Sequence, residues 1–157
     1  MNRFVKTTAL ALGLATGVTA TAATAGEFDG FYLGAYGSGD FFTSPNTYGF
    51  GGQAGYMYEF APGSYAGVEA DAYFPSGSPN IYTGAMRLGY DFGTPFMAYA
   101  KVGAGMDQTG TGLWTIGAGG QYDMGGGASL RLGLDRYQDF NGGPASNVAK
   151  VGLNYTF

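Results

Sequence analysis

The feature that most restricts this chain is an alternation of period two. In Val151-Gly152-Leu153-Asn154-Tyr155-Thr156-Phe157 the odd positions are apolar and the even ones small or polar. In Leu130-Arg131-Leu132-Gly133-Leu134-Asp135 and Met86-Arg87-Leu88-Gly89-Tyr90-Asp91-Phe92 the apolar positions are the even ones. Successive side chains of a strand point to opposite faces, so each segment offers one face to an apolar medium and one to a polar space. Glycine, 31 of 157 residues, interrupts nearly every stretch that would otherwise form an amphipathic helix. Beyond the N-terminal region no apolar run is long enough for a transmembrane helix.

Eight strands are predicted, over 28–37, 49–59, 65–74, 82–91, 96–106, 113–124, 129–137 and 148–157. Each has about the 9–11 residues with which a tilted strand crosses a bilayer. Connections one, three, five and seven hold 11, 7, 6 and 10 residues, whereas two, four and six hold 5, 4 and 4. Short turns on one side and longer loops on the other are the habit of transmembrane barrels.

Side-chain polarity gives the sharper test. If Phe31, Leu33, Phe50, Ala54, Val68, Ala70, Met86, Leu88, Ala100, Val102, Ile116, Leu132, Leu134, Val151 and Leu153 point outward, the alternation sends a polar set inward. That set is Gln53, Glu69, Asp71, Arg87, Lys101, Gln121, Arg131, Asp135, Lys150 and Asn154. A soluble barrel would do the reverse, keeping charges in water and apolar groups inside. The predicted fold is therefore an all-β, eight-stranded antiparallel up-and-down barrel with lipid outside. The outward aromatics fall into two belts: Phe31, Tyr56, Tyr58, Tyr90, Phe92, Phe96, Tyr122, Tyr155 and Phe157 near the short turns, and Phe50, Phe74, Tyr82 and Trp114 near the opposite ends. Such girdles mark the two membrane interfaces.

The N-terminus reads as an export signal. Met1-Asn2-Arg3-Phe4-Val5-Lys6 is a short basic start, Ala9 to Val18 an apolar run, and Ala23-Thr24-Ala25 an A-x-A cleavage site. Residues 1–25 are the expected leader and 26–157 a single barrel domain. Of seven Lys and Arg, Arg3 and Lys6 lie in that leader, leaving five against 11 acidic residues. An acidic mature chain is a poor partner for nucleic acid. The sequence has no Cys and no His, which excludes disulfides, Cys/His zinc sites and any Ser-His-Asp triad. No cofactor or metal is expected; Asp107-Gln108-Thr109-Gly110-Thr111-Gly112 has one carboxylate and no terminal Glu, and reads as a turn rather than a calcium loop.

Several stretches resemble one family in order and spacing. They are Phe28-Asp29-Gly30-Phe31-Tyr32-Leu33-Gly34, Gln53-Ala54-Gly55-Tyr56, Gly67-Val68-Glu69, Arg87-Leu88-Gly89-Tyr90, Trp114-Thr115-Ile116-Gly117-Ala118-Gly119 and the closing Val151 to Phe157. The chain resembles the small OmpA/OmpX-like outer-membrane β-barrels, which include porin-family and opacity-type proteins. The resemblance implies residence in the bacterial outer membrane, with lipid, lipopolysaccharide and the assembly machinery as partners. A closed barrel needs no partner chain to satisfy its backbone, so a monomer is expected. A final strand ending in Phe resembles the signal read by that machinery, which places it at Tyr155 and Phe157; the same two residues also serve as girdle aromatics. Larger members carry a peptidoglycan-binding domain after the barrel. With the last predicted strand ending at Phe157, the resemblance implies a role exerted through the membrane itself.

Function is not fixed by fold. Four readings follow. In the first the protein is structural, its lumen closed by a neutralising network of Glu69, Asp71 and Asp135 with Arg87, Lys101, Arg131 and Lys150, centred on Glu69, Arg87 and Lys101. An eight-stranded barrel is just wide enough for side chains to fill, and unpaired charges there would each cost several kcal/mol. In the second it is a small diffusion pore with its charges hydrated singly. In the third it is an adhesin acting through outer loops that hold Phe41-Phe42 and Asp40, Asp107 and Asp139. In the fourth it is a lipid-modifying enzyme, for which the usual base of a Ser nucleophile is missing. Arg136 continues the outward parity of its strand near the loop end, where it is positioned either as a solvated arginine or as a contact for lipopolysaccharide phosphates.

Overall fold

The computed structural model describes residues 28–40 and 46–157. The strands are β1 (Gly30–Asp40), β2 (Thr47–Ala61), β3 (Ser64–Pro75), β4 (Ile81–Asp91), β5 (Phe96–Asp107), β6 (Gly112–Gly125), β7 (Ala128–Asp139) and β8 (Ser146–Thr156). Each pairs antiparallel with the next, and β8 pairs back onto β1 from Tyr32↔Thr156 to Gly39↔Ala149. The result is the expected closed meander, in which no strand edge is left to face hydrocarbon. The expected leader and Phe41-Phe42 lie outside the described residues.

The strands run further toward the loop end than predicted. Ser38, Gly39 and Asp40 pair with Gly49, Tyr48 and Thr47, although 38–48 reads as a loop. Asp40 is accordingly a buried strand residue rather than a loop acid, and its carboxylate accepts a 2.6 Å hydrogen bond from Ser146 Oγ. Small polar residues that favour turns remain in the ladder here because cross-strand partners satisfy them. At the opposite end β1 starts later than predicted. Gly30, at φ 121°, redirects the chain, and Phe28 (2% exposed) turns into the barrel mouth to meet Tyr65 edge-on at 5.9 Å. The segment after β5 is the expected turn: Asp107 Oδ1 accepts from the backbone N–H groups of Thr109 (2.8 Å) and Thr111 (2.9 Å).

Polarity is inverted as the alternation requires. On β4, Met86 is 69% exposed on the outer surface, while the next residue, Arg87, is 1% exposed inside. The lumen is filled in three tiers. Phe28, Tyr32, Met57, Tyr65 and Met97 pack at the short-turn end. Tyr36, Tyr73, Leu113, Tyr137 and Val148, joined by Ile81, pack at the loop end. The charged groups lie between these two plugs.

Candidate functional site

The predicted inward set points inward and is buried: Glu69, Asp71, Arg87, Lys101, Arg131, Asp135 and Lys150, along with Gln53, Gln121 and Asn154. The ladder sets Arg87 directly opposite Lys101 on neighbouring strands. Two like charges in that position repel, so a counter-charge must reach them from elsewhere. It comes from Glu69 on β3. Glu69 Oε1 accepts from Lys101 Nζ at 3.1 Å and from Arg131 Nη2 at 3.2 Å. Its Oε2 accepts from Tyr32 Oη at 2.6 Å and is also bonded by Arg131 Nη1. Arg87 Nη1 stands further off, 3.9 Å from Oε2.

The closest guanidinium to Glu69 is thus that of Arg131, and Arg87 is peripheral to the centre in which the sequence placed it. The reason is spatial. Strands β3 and β7 are half a turn apart in the eight-stranded ring, so their long inward side chains meet across the lumen. Arg87 instead donates from Nη2 to Gln121 Oε1 at 2.7 Å, and Gln121 donates onward to Ser129 Oγ at 2.8 Å.

Toward the loop end the acids outnumber the bases. Lys150 Nζ lies 3.1 Å from Asp71 Oδ2 and 2.9 Å from Asp135 Oδ2. Asp135 Oδ2 is also 2.9 Å from Lys101 Nζ, so Lys101 ties the two groups into one network.

Inward tyrosines complete the site, and the sequence reading passed over them. Tyr36 Oη donates to Asp71 Oδ1 at 2.8 Å and accepts from Lys150 Nζ at 3.0 Å, while Tyr137 Oη accepts from Lys150 at 2.7 Å. The Tyr99 ring takes two guanidinium groups, Arg87 at 4.0 Å and Arg131 at 4.4 Å from its centroid, and its hydroxyl accepts from Arg131 Nε at 2.8 Å. The signal was available, because Tyr99 shares the parity of Lys101, and Tyr137 that of Asp135. Inward glycines make room for these rings. A Cβ on Gly55 would lie 2.5 Å from Tyr32 Oη, and one on Gly133 2.5 Å from Tyr99 Oη.

The other predicted residues lie on the outer surface. Tyr155 and Phe157 are exposed and meet edge-on at 5.1 Å. Arg136 is exposed near the loop end of β7, across from Ile116 and Asn147.

An ionic tier lying between two apolar plugs and wrapped in an apolar surface suits a protein that sits in a membrane. No protein-family model matches the chain. A curated relative, the 22 kDa outer membrane protein of Rhizobium leguminosarum bv. viciae, is 31% identical over an alignment of 170 residues that takes in 85% of this chain and 80% of the relative. The chain belongs to the small OmpA/OmpX-like outer-membrane β-barrels.

Solved structures agree on the fold. A de novo designed transmembrane β-barrel superimposes with a TM-score of 0.64 at 19% identity, over 82% of this chain and 97% of its own. Neisserial surface protein A superimposes with a TM-score of 0.58 at 15% identity, over 82% and 98%. This outer-membrane barrel is therefore an integral protein of the bacterial outer membrane, and its apolar surface faces lipid. A designed barrel with the same fold shows how little the fold alone says about biological role.

Proposed function

We propose that this outer-membrane barrel is a non-catalytic envelope protein, monomeric, whose lumen is held shut and whose role is to support the membrane it spans. The observation that carries the reading is the Arg131–Glu69–Lys101–Asp135–Lys150–Asp71 chain of charged contacts lying between two plugs. A buried charge left alone costs several kcal/mol, and a charge satisfied by fixed partners resists hydration and displacement by a passing ion. The lack of any His or Cys supports the non-catalytic part, since the usual bases and nucleophiles of hydrolytic chemistry are missing. Within the same reading, the exposed Tyr155 and Phe157 of the last strand act as the recognition signal for the outer-membrane assembly machinery before they settle into the girdle.

Planar-bilayer recording of the refolded full chain tests the closure. The expected trace is flat apart from rare small openings, and Glu69→Ala is expected to add discrete openings. A stable, large conductance in the unmodified protein would replace this reading with that of a diffusion pore.

A further inference from the structure

Arg136 breaks a rule that the rest of the barrel obeys. Within the eight strands, every other Asp, Glu, Lys and Arg has the inward parity of its strand; Arg136 alone has the outward one, in line with Leu130, Leu132 and Leu134. A cation on the lipid face of such a barrel costs about 2–4 kcal/mol at the midplane and little at the interface. Its depth is set by its neighbour: Arg136 pairs with Ile116, and the next outward pair toward the loops is Trp114 with Gln138. Trp114 is the single tryptophan of the chain, of the residue type that gathers at the headgroup level. Among the described residues the guanidinium has one hydrogen bond, a long 3.5 Å contact to Gln138 Oε1, and no ion pair. Most of its five donors are therefore free.

The surface around Arg136 is shaped to receive something. A depression of about 340 Å³ is lined by Ile116, Leu134, Asp135, Arg136 and Asn147. The Asp135 carboxylate is turned away, to Lys101 and Lys150 inside. The depression therefore combines an arginine and an amide with two aliphatic walls. That combination matches an amphiphile whose anionic head meets the arginine while its chain lies along Ile116 and Leu134.

We infer that Arg136, with Asn147, forms a site on the outer-leaflet surface for a lipid phosphate, and specifically for the phosphorylated lipid A of lipopolysaccharide. Guanidinium binds phosphate through two parallel hydrogen bonds, which a point-charge ammonium cannot reproduce. This site is independent of whether the lumen is closed.

Trp114 provides the readout. The refolded full chain is placed in vesicles of brominated-chain phosphatidylcholine, which quenches Trp114, and lipid A is titrated in. The bisphosphorylated form is expected to relieve quenching at about a five-fold lower mole fraction than the dephosphorylated form, the scale of one interfacial cation. Arg136→Gln should erase that difference and Arg136→Lys should keep part of it, with folding of both checked by the unheated gel shift. The assignment is overturned if Arg136→Gln retains the difference, if the dephosphorylated lipid competes equally, or if phosphatidylglycerol relieves quenching as well as phosphorylated lipid A does.

Discussion

The two halves of the lumen handle charge in opposite ways. On the short-turn side one carboxylate, Glu69, serves Arg131 and Lys101 closely and Arg87 at longer range. On the loop side two carboxylates, Asp71 and Asp135, share Lys150, with tyrosine hydroxyls from Tyr36 and Tyr137 added. The two arginines of the first half depend on a single anion, while Lys150 in the second has a spare. Shared burial does not mean shared vulnerability: the cost of a lost group depends on how many substitutes stand within reach.

That contrast is most directly broken at Glu69. Glu69→Ala leaves Arg131 without its carboxylate and Lys101 with Asp135 alone, and should cost about 3–5 kcal/mol, the penalty for stripping one partner from a buried pair. Urea unfolding in detergent micelles measures it, and an unchanged midpoint would mean that water already solvates these cations. Asp71→Asn should cost less, about 1–3 kcal/mol, because Lys150 keeps Asp135 at 2.9 Å and Tyr137 at 2.7 Å. A loss equal to that of Glu69→Ala in the same assay would erase the distinction between the halves. Pairing Glu69→Ala with Arg131→Met should recover stability relative to Glu69→Ala alone, with a coupling of about 0.5–3 kcal/mol in a double-mutant cycle. Strict additivity would show that Arg131 is not the chief partner. The smallest effect belongs to Tyr99→Phe, which keeps the ring under both guanidinium groups and removes only the hydroxyl that accepts from Arg131; about 0.5–1.5 kcal/mol is expected.

Alternation made the barrel legible. Once Leu130, Leu132 and Leu134 are assigned to lipid, Arg131 and Asp135 have only one place to go, and the closed meander follows from eight such segments. The membership of the lumen was readable for the same reason. Its wiring was not. Which cation reaches Glu69 depends on side chains meeting across the ring, and parity along one strand carries no information about distance across eight of them. Parity also places Tyr32 and Tyr36 inward, alternating with outward Phe31 and Leu33, but it does not show that their rings find room there; Gly51 and Gly55 leave that space. Strand ends were misjudged where Ser38, Gly39 and Asp40, turn formers by composition, found partners in Tyr48, Gly49 and Ser146.

The β1–β8 seam has a consequence for biogenesis. The first strand of the sheet receives its second neighbour only when Ser146–Thr156 arrives, the last of the eight strands to be made. Until that moment any partial sheet exposes two rows of unpaired peptide groups, which hydrocarbon does not tolerate. Insertion therefore cannot proceed hairpin by hairpin in bare lipid. The ends must be brought together, or an edge must be shielded by another protein, and a chain interrupted before Ser146 should remain at the bilayer surface rather than cross it.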